Sequence, residues 1–140
     1  MTKATLGRLI FFGLLALLML AELFFSNVGS LGRLEEVAAQ LGLTPEAERA
    51  RLFILILLDA VAGIGALICV MALFGNPSLA KVGLPLTVFG FVAYGLYQLI
   101  SAFTQLGAQW RTPIASVGLV YIVIGLVAWW IGRGLLRTKR

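Results

Sequence analysis

Residues 52–74 read LFILILLDAVAGIGALICVMALF. One charge, Asp59, interrupts a run long enough to cross the hydrocarbon core of a bilayer, which takes roughly 20 mostly apolar residues. The same texture recurs on either side. Working outward, the spacing predicts a first span at about 9–25, a third at about 82–106 and a fourth at about 114–132. Of the 140 residues 61% are hydrophobic and 12% charged, whereas soluble domains carry roughly 45–50% and about 25%. A soluble fold of this size could not bury so much apolar surface. The reading is an all-α integral membrane protein, a four-transmembrane-helix bundle with a short amphipathic helix in its first, outer loop, forming a single membrane domain over 1–140. The chain has no histidine, which removes histidine-ligated haem and metal sites and every histidine-dependent mechanism. Its one cysteine, Cys69, can form neither an internal disulfide nor a multi-cysteine metal site. No cofactor is implied.

The breaks between spans carry their own punctuation. In Gly75-Asn76-Pro77-Ser78, glycine can close one helix and Asn76 or Ser78 can cap the next. Thr44-Pro45 and Thr112-Pro113 each read as an N-cap followed by proline at the first helical position. Pro85 is expected in the first turn of the third helix, where its missing N–H costs little. The connection at 26–50 is the only long one. Within it Leu31, Leu34, Val37, Ala38 and Leu41 recur at helical steps opposite Arg33, Glu35, Glu36 and Gln40, with Gly42 as a stop. That helix either lies on outer headgroups, packs on the bundle as a lid, or serves as a docking platform for an extramembrane partner.

With both termini on one side, that side collects Lys3, Arg8, Lys81, Arg133, Arg137, Lys139 and Arg140, seven of the eleven Lys and Arg. The opposite side holds Arg33, Arg49, Arg51 and Arg111, offset by Glu35, Glu36, Glu46 and Glu48. The positive-inside rule then predicts cytoplasmic termini in a cell inner membrane. The basic balance is a topology signal and not a nucleic-acid footprint, and Arg137, Lys139 and Arg140 can also touch anionic headgroups. Lys3 and Arg8 before an apolar run also suit a signal peptide. There is no small-x-small cleavage pattern, and Glu22 falls where one would lie, so the first span is read as retained. Phe11, Phe12, Phe74, Trp129 and Trp130 are expected at the inner interface, and Phe24, Phe25 and Trp110 at the outer one.

Two charges lie inside the spans, Glu22 and Asp59, where ionisable groups are costly and therefore informative. At 1.5 Å per residue, Asp59 falls about 10 Å below the outer boundary and Glu22 about 5–9 Å below it. Tyr94, Tyr97, Gln98 and Ser101 on the third helix and Tyr121 on the fourth share that outer half. The inner half holds little comparable beyond Thr87 and Cys69. One reading is a proton or cation site open to the outside. The other is structural, with each carboxyl hydrogen-bonded to Gln98, tyrosine or serine and fixing the helix packing. The expectation is that Asp59 faces the bundle interior with Glu22 or Gln98 in reach. Gly118, Gly125 and Gly132 repeat every seven residues on the fourth helix, and Gly83 and Gly90 on the third. Such stripes let backbones approach, either within one bundle or between copies.

Ala21-Glu22-Leu23 resembles the Ala-Glu step of the small multidrug exporters, four-helix proteins with a glutamate in the first span. Glu22, however, lies near the helix end, and the outer loop helix is additional. Leu57-Leu58-Asp59 followed by Gly63 and Gly65 resembles four-span inner-membrane proteins of the YqhA type, over the second span alone. There is no HExxH, no paired cysteine, no Ser–His arrangement and no phosphate-binding glycine loop. The chain therefore reads as non-enzymatic, an accessory or scaffold subunit of a larger membrane assembly. The alternative is a small proton- or cation-linked transporter or channel, a homo-oligomer working through Glu22 and Asp59. Expected partners are the lipid bilayer and either other membrane subunits or a second copy, with no nucleic acid.

Overall fold

The structure, a computed structural model, describes residues 2–136. Among them are five helices and no strand: α1 Lys3–Leu31, α2 Leu34–Leu41, α3 Pro45–Phe74, α4 Ala80–Thr104 and α5 Ala108–Leu136. A 3₁₀ turn, Pro77–Leu79, leads into α4. Four of the helices are long and apolar enough to span a membrane, so the chain is a multi-pass membrane protein built as a four-span bundle. Only such closed backbone hydrogen bonding is tolerated in hydrocarbon. The basic residues Arg137, Lys139 and Arg140 lie outside the described residues.

Most of the local punctuation appears where the residues call for it. The Thr44 side chain accepts from Ala47 N at 3.2 Å, with Pro45 opening α3. Gly42 ends α2 in the left-handed region at φ 76°, which glycine adopts without a Cβ penalty. The two remaining prolines depart from expectation. α5 starts at Ala108, so Pro113 lies inside it instead of following an N-cap at Thr112. Pro85 is likewise interior to α4, beyond its first turn. Each is the sixth residue of its helix, so its ring sacrifices one backbone hydrogen bond near an end, and its fixed φ suits the helix. The start at Ala108 is set by the turn before it, where Trp110 N donates to Gly107 O at 3.0 Å.

Each long helix packs chiefly on its neighbour in sequence, and α1 meets α5 over only a short stretch. Both glycine stripes are spent inside this one chain. A Cβ on Gly118 would come within 2.6 Å of Gly95 O, and one on Gly125 within 2.7 Å of Val92 Cγ2. On α4, a Cβ on Gly83 would meet Cys69 N at 2.9 Å, and one on Gly90 would meet Ala62 at 2.6 Å. A Cβ on Gly132 would crowd Leu84 Cδ1 at 2.5 Å and Phe12 Cζ at 2.9 Å. This last contact corrects the placement of Phe12. Its ring is fully buried, edge-on to Phe11 at 5.3 Å, because Gly132 leaves room for it in the core. Phe24, Phe25, Phe74, Trp129 and Trp130 remain on the apolar exterior.

α2 folds down on the bundle. Its Ala38 and Leu41 are buried, and the turn between α4 and α5 holds it: Gly107 N donates to Leu41 O at 3.2 Å and Trp110 Nε1 to Gln40 O at 2.6 Å. Arg111 sits over the Phe103 ring, 6.0 Å from its centroid, bracing that turn. The molecule thus has an α2 end and a terminal end, and Lys3, Arg8, Lys81 and Arg133 sit on the helix ends of the latter.

A buried carboxylate network as the candidate functional site

The inward face of α3 is set by a three- and four-residue step through Glu48, Arg51, Leu55, Asp59, Ala62, Ala66 and Cys69, all buried. Its charged residues all fall in the first half. Two separate polar clusters result, about 12 Å apart along the helix axis between positions 51 and 59.

The deeper cluster centres on Asp59, which is 1% exposed. Its Oδ2 accepts a hydrogen bond from Asn27 Nδ2. Asn27 Nδ2 also lies 3.4 Å from the Tyr94 hydroxyl, which in turn donates to Glu22 Oε1 at 2.9 Å. The Tyr121 ring lies on Tyr94 at 4.7 Å between centroids, with an interplanar angle of 32°, and its hydroxyl is beside Glu22. Four helices therefore meet at one spot: α1 supplies Glu22 and Asn27, α3 Asp59, α4 Tyr94 and α5 Tyr121. Asp59 Oδ1 is buried with no hydrogen-bond partner.

Asn27 reaches the site because α1 changes its winding. Residues Glu22–Val28 form a π-helical stretch. In an α-helix, residues five apart are rotated by roughly 140° and cannot share a face. In the i→i+5 repeat of a π-helix they come back into line. Glu22 and Asn27 are five apart, and the wider winding is what turns both toward Asp59. The residues around Asn27 read as the start of the outer loop, so it was not among the expected site residues. Its one signal is a carboxamide placed directly after an apolar run.

The shallower cluster is a buried ion pair. Arg51 Nε donates to Glu48 Oε1 at 2.8 Å, and Arg51 NH1 donates to Gln98 Oε1 at 3.0 Å. Glu48 is fully buried and Arg51 is 6% exposed. By sequence position alone both read as charges flanking the outer loop. Gln98 therefore serves Arg51 and not Asp59. Ser101 Oγ donates to Gln98 O at 3.1 Å, bracing its own helix turn. Tyr97 is half-buried near the same ion pair. Of the seven expected site residues, Glu22, Asp59, Tyr94 and Tyr121 come together, whereas Gln98, Ser101 and Tyr97 belong to the upper cluster.

Toward the terminal end the core closes. A Cβ on Gly65 would lie 2.5 Å from Thr87 N, so α3 and α4 touch backbone to backbone there. Thr87 Oγ1 donates to Gly83 O at 2.8 Å, and Cys69 Sγ lies 3.9 Å from it in the packed interior. Among the described residues no three His, Cys, Asp or Glu side chains converge in a metal-ligating group. Compared with known protein families, characterised proteins and solved structures, the chain matches none, so the local likenesses of its first two spans carry no family assignment.

Proposed function

We propose that this chain is a non-enzymatic accessory subunit of a larger membrane assembly, which it serves by presenting a rigid platform at its α2 end. The observation that carries this reading is how α2 is used. A helix lying on headgroups keeps its apolar face for lipid. Here that face is already spent: Ala38 and Leu41 are buried, and the backbone is tied to the α4–α5 turn. What remains outward is a fixed charged surface. Arg33, Glu35 and Glu36 face Glu46 and Arg49 of α3 around a cleft of about 700 Å³. Such a surface suits an extramembrane segment of a partner, recognised by charge complementarity. The closed core between Gly65, Gly83 and Gly90 and their neighbours favours this reading over a conduit through the protomer.

The cations Lys3, Arg8, Lys81 and Arg133 at the terminal end support an orientation with cytoplasmic termini in the inner membrane, the platform then facing outward. Purification in mild detergent with mass measurement tests the role. The expected result is a hetero-complex that is lost when Glu35, Glu36 and Glu46 are changed together to lysine. A lone homo-oligomer of unchanged mass in both forms would overturn it in favour of the transport reading.

A further inference from the structure

Asp59 is buried on every side, yet its Oδ1 faces no donor. The groups packed around it are Glu22 and Asn27 of α1, Tyr94 of α4 and Tyr121 of α5. None of these is a cation. The nearest arginine on its own helix, Arg51, is engaged two turns away with Glu48 and Gln98. With both carboxylates ionised, the site would hold two negative charges, bridged by one tyrosine and one carboxamide, in low-dielectric surroundings. Buried charge without a counter-charge is among the least favourable arrangements in a protein. A donorless buried oxygen is a second, independent cost.

Glu22 differs from Asp59 in one respect: it is only half-buried. It forms the floor of a groove of about 380 Å³ lined by Leu18, Ala21, Phe25, Ser26, Ser30 and Arg33. Glu22, Ser26 and Ser30 follow at steps of four along α1, and Arg33, in the turn before α2, lines the groove at its α2 end. It is roomy and polar enough for several waters, each taking about 30 Å³. A path from water to one carboxylate, and a hydrogen-bonded chain from that carboxylate to a second without a partner for its free oxygen, are the parts of a titratable site with a single entrance.

We propose that Glu22 and Asp59 form a proton-binding site that fills from the α2 end of the molecule through the α1 groove. One proton from groove water converts one of the two carboxylates to a neutral carboxylic acid. On Asp59 it occupies Oδ1 and removes the uncompensated charge. Asn27, which donates to Asp59 and lies 3.4 Å from the Tyr94 hydroxyl, and Tyr94, which donates to Glu22, tie the two carboxyls into one network, so a proton on either relieves the charge held against the other. No through-path is required, and the close packing around Gly65 and Gly83 ends the route. This inference is independent of the docking reading, since the network lies inside a single chain.

The test is pH-difference infrared spectroscopy on the full chain in lipid nanodiscs. Wild type should show a carboxylic-acid C=O band, from a buried group, that grows as pH falls. Asp59→Asn keeps the shape and should lose that band, and Glu22→Gln, which leaves Asp59 in place, should shift it. If Asp59→Asn does not fold, the Glu22→Gln shift alone decides. A wild-type spectrum in which both variants leave the band unchanged overturns the proposal. So does a band that responds to sodium at fixed pH, which would mark a cation site. In oriented proteoliposomes the band should follow the pH on the α2 side alone. A response only to the other side would overturn the route through the groove.

Discussion

Replacing Gly90 with alanine puts a methyl group where α4 rests on α3. The added Cβ would lie 2.6 Å from Ala62 N, Cα and Cβ, roughly 1 Å short of a comfortable carbon contact. Backbone atoms cannot swing aside as a side-chain tip can, so the helix axes must separate. Overpacking of this kind costs about 1–3 kcal/mol, and a backbone neighbour places it in the upper part of that range. Exchanging glycine for alanine inside a helix returns about 1 kcal/mol. The net expectation is a loss of about 1–2 kcal/mol. Gly13 supplies the control, because nothing lies within 4 Å of a Cβ built there. Gly13→Ala should be neutral or stabilising by up to about 1 kcal/mol. The two variants should therefore differ by about 1–3 kcal/mol in reversible unfolding followed by circular dichroism in mixed micelles. Gly90 is one turn from Tyr94, and Ala62 three residues from Asp59, so the same displacement should also loosen the tyrosine's bond to Glu22. Equal behaviour of Gly90→Ala and Gly13→Ala would refute the α3–α4 contact. A changed oligomer with unchanged protomer stability would refute the intramolecular use of the stripe.

Arg51→Met should cost about 3–5 kcal/mol in the same unfolding assay by stranding the buried Glu48 carboxylate, and most of this should return in the Glu48→Leu/Arg51→Met double variant. A single variant as stable as wild type would mean Glu48 reaches water. Trp110→Phe removes the donor to Gln40 O. It should release α2 at a cost of about 0.5–1 kcal/mol, read as faster hydrogen exchange confined to residues 34–41; unchanged exchange there would deny the strap. For topology, cysteines at Thr2 and Gln40, in a chain with Cys69 replaced, should respectively resist and accept an impermeant thiol reagent in intact cells. The opposite pattern would invert the proposed orientation.

Four spans, their helical state and the boundaries at Gly42, Thr44-Pro45 and Gly75 were legible in the sequence, because each depends on residues adjacent in the chain. Lipid leaves an apolar run of this length little choice but a helix. The alternation in residues 31–41 likewise announced an amphipathic helix, since its polar and apolar faces differ. The spans offer no such contrast. Apolar nearly all round, they do not say which face turns inward, so the partners of Glu22, Asp59 and Gln98 could not be assigned by depth alone. Their rotation is set by contacts between distant residues, such as Gly118 on Gly95, Gly90 on Ala62 and Phe12 in the space beside Gly132. Those contacts pair Gln98 with Arg51 and leave Asp59 to Asn27. The π-helical stretch adds a change of phase that no regular period anticipates, and it turns Asn27 onto the same face as Glu22. Local propensity and the surrounding solvent settle what each segment is. Which side chains meet was decided by the tertiary structure, through close packing that only the assembled bundle can impose.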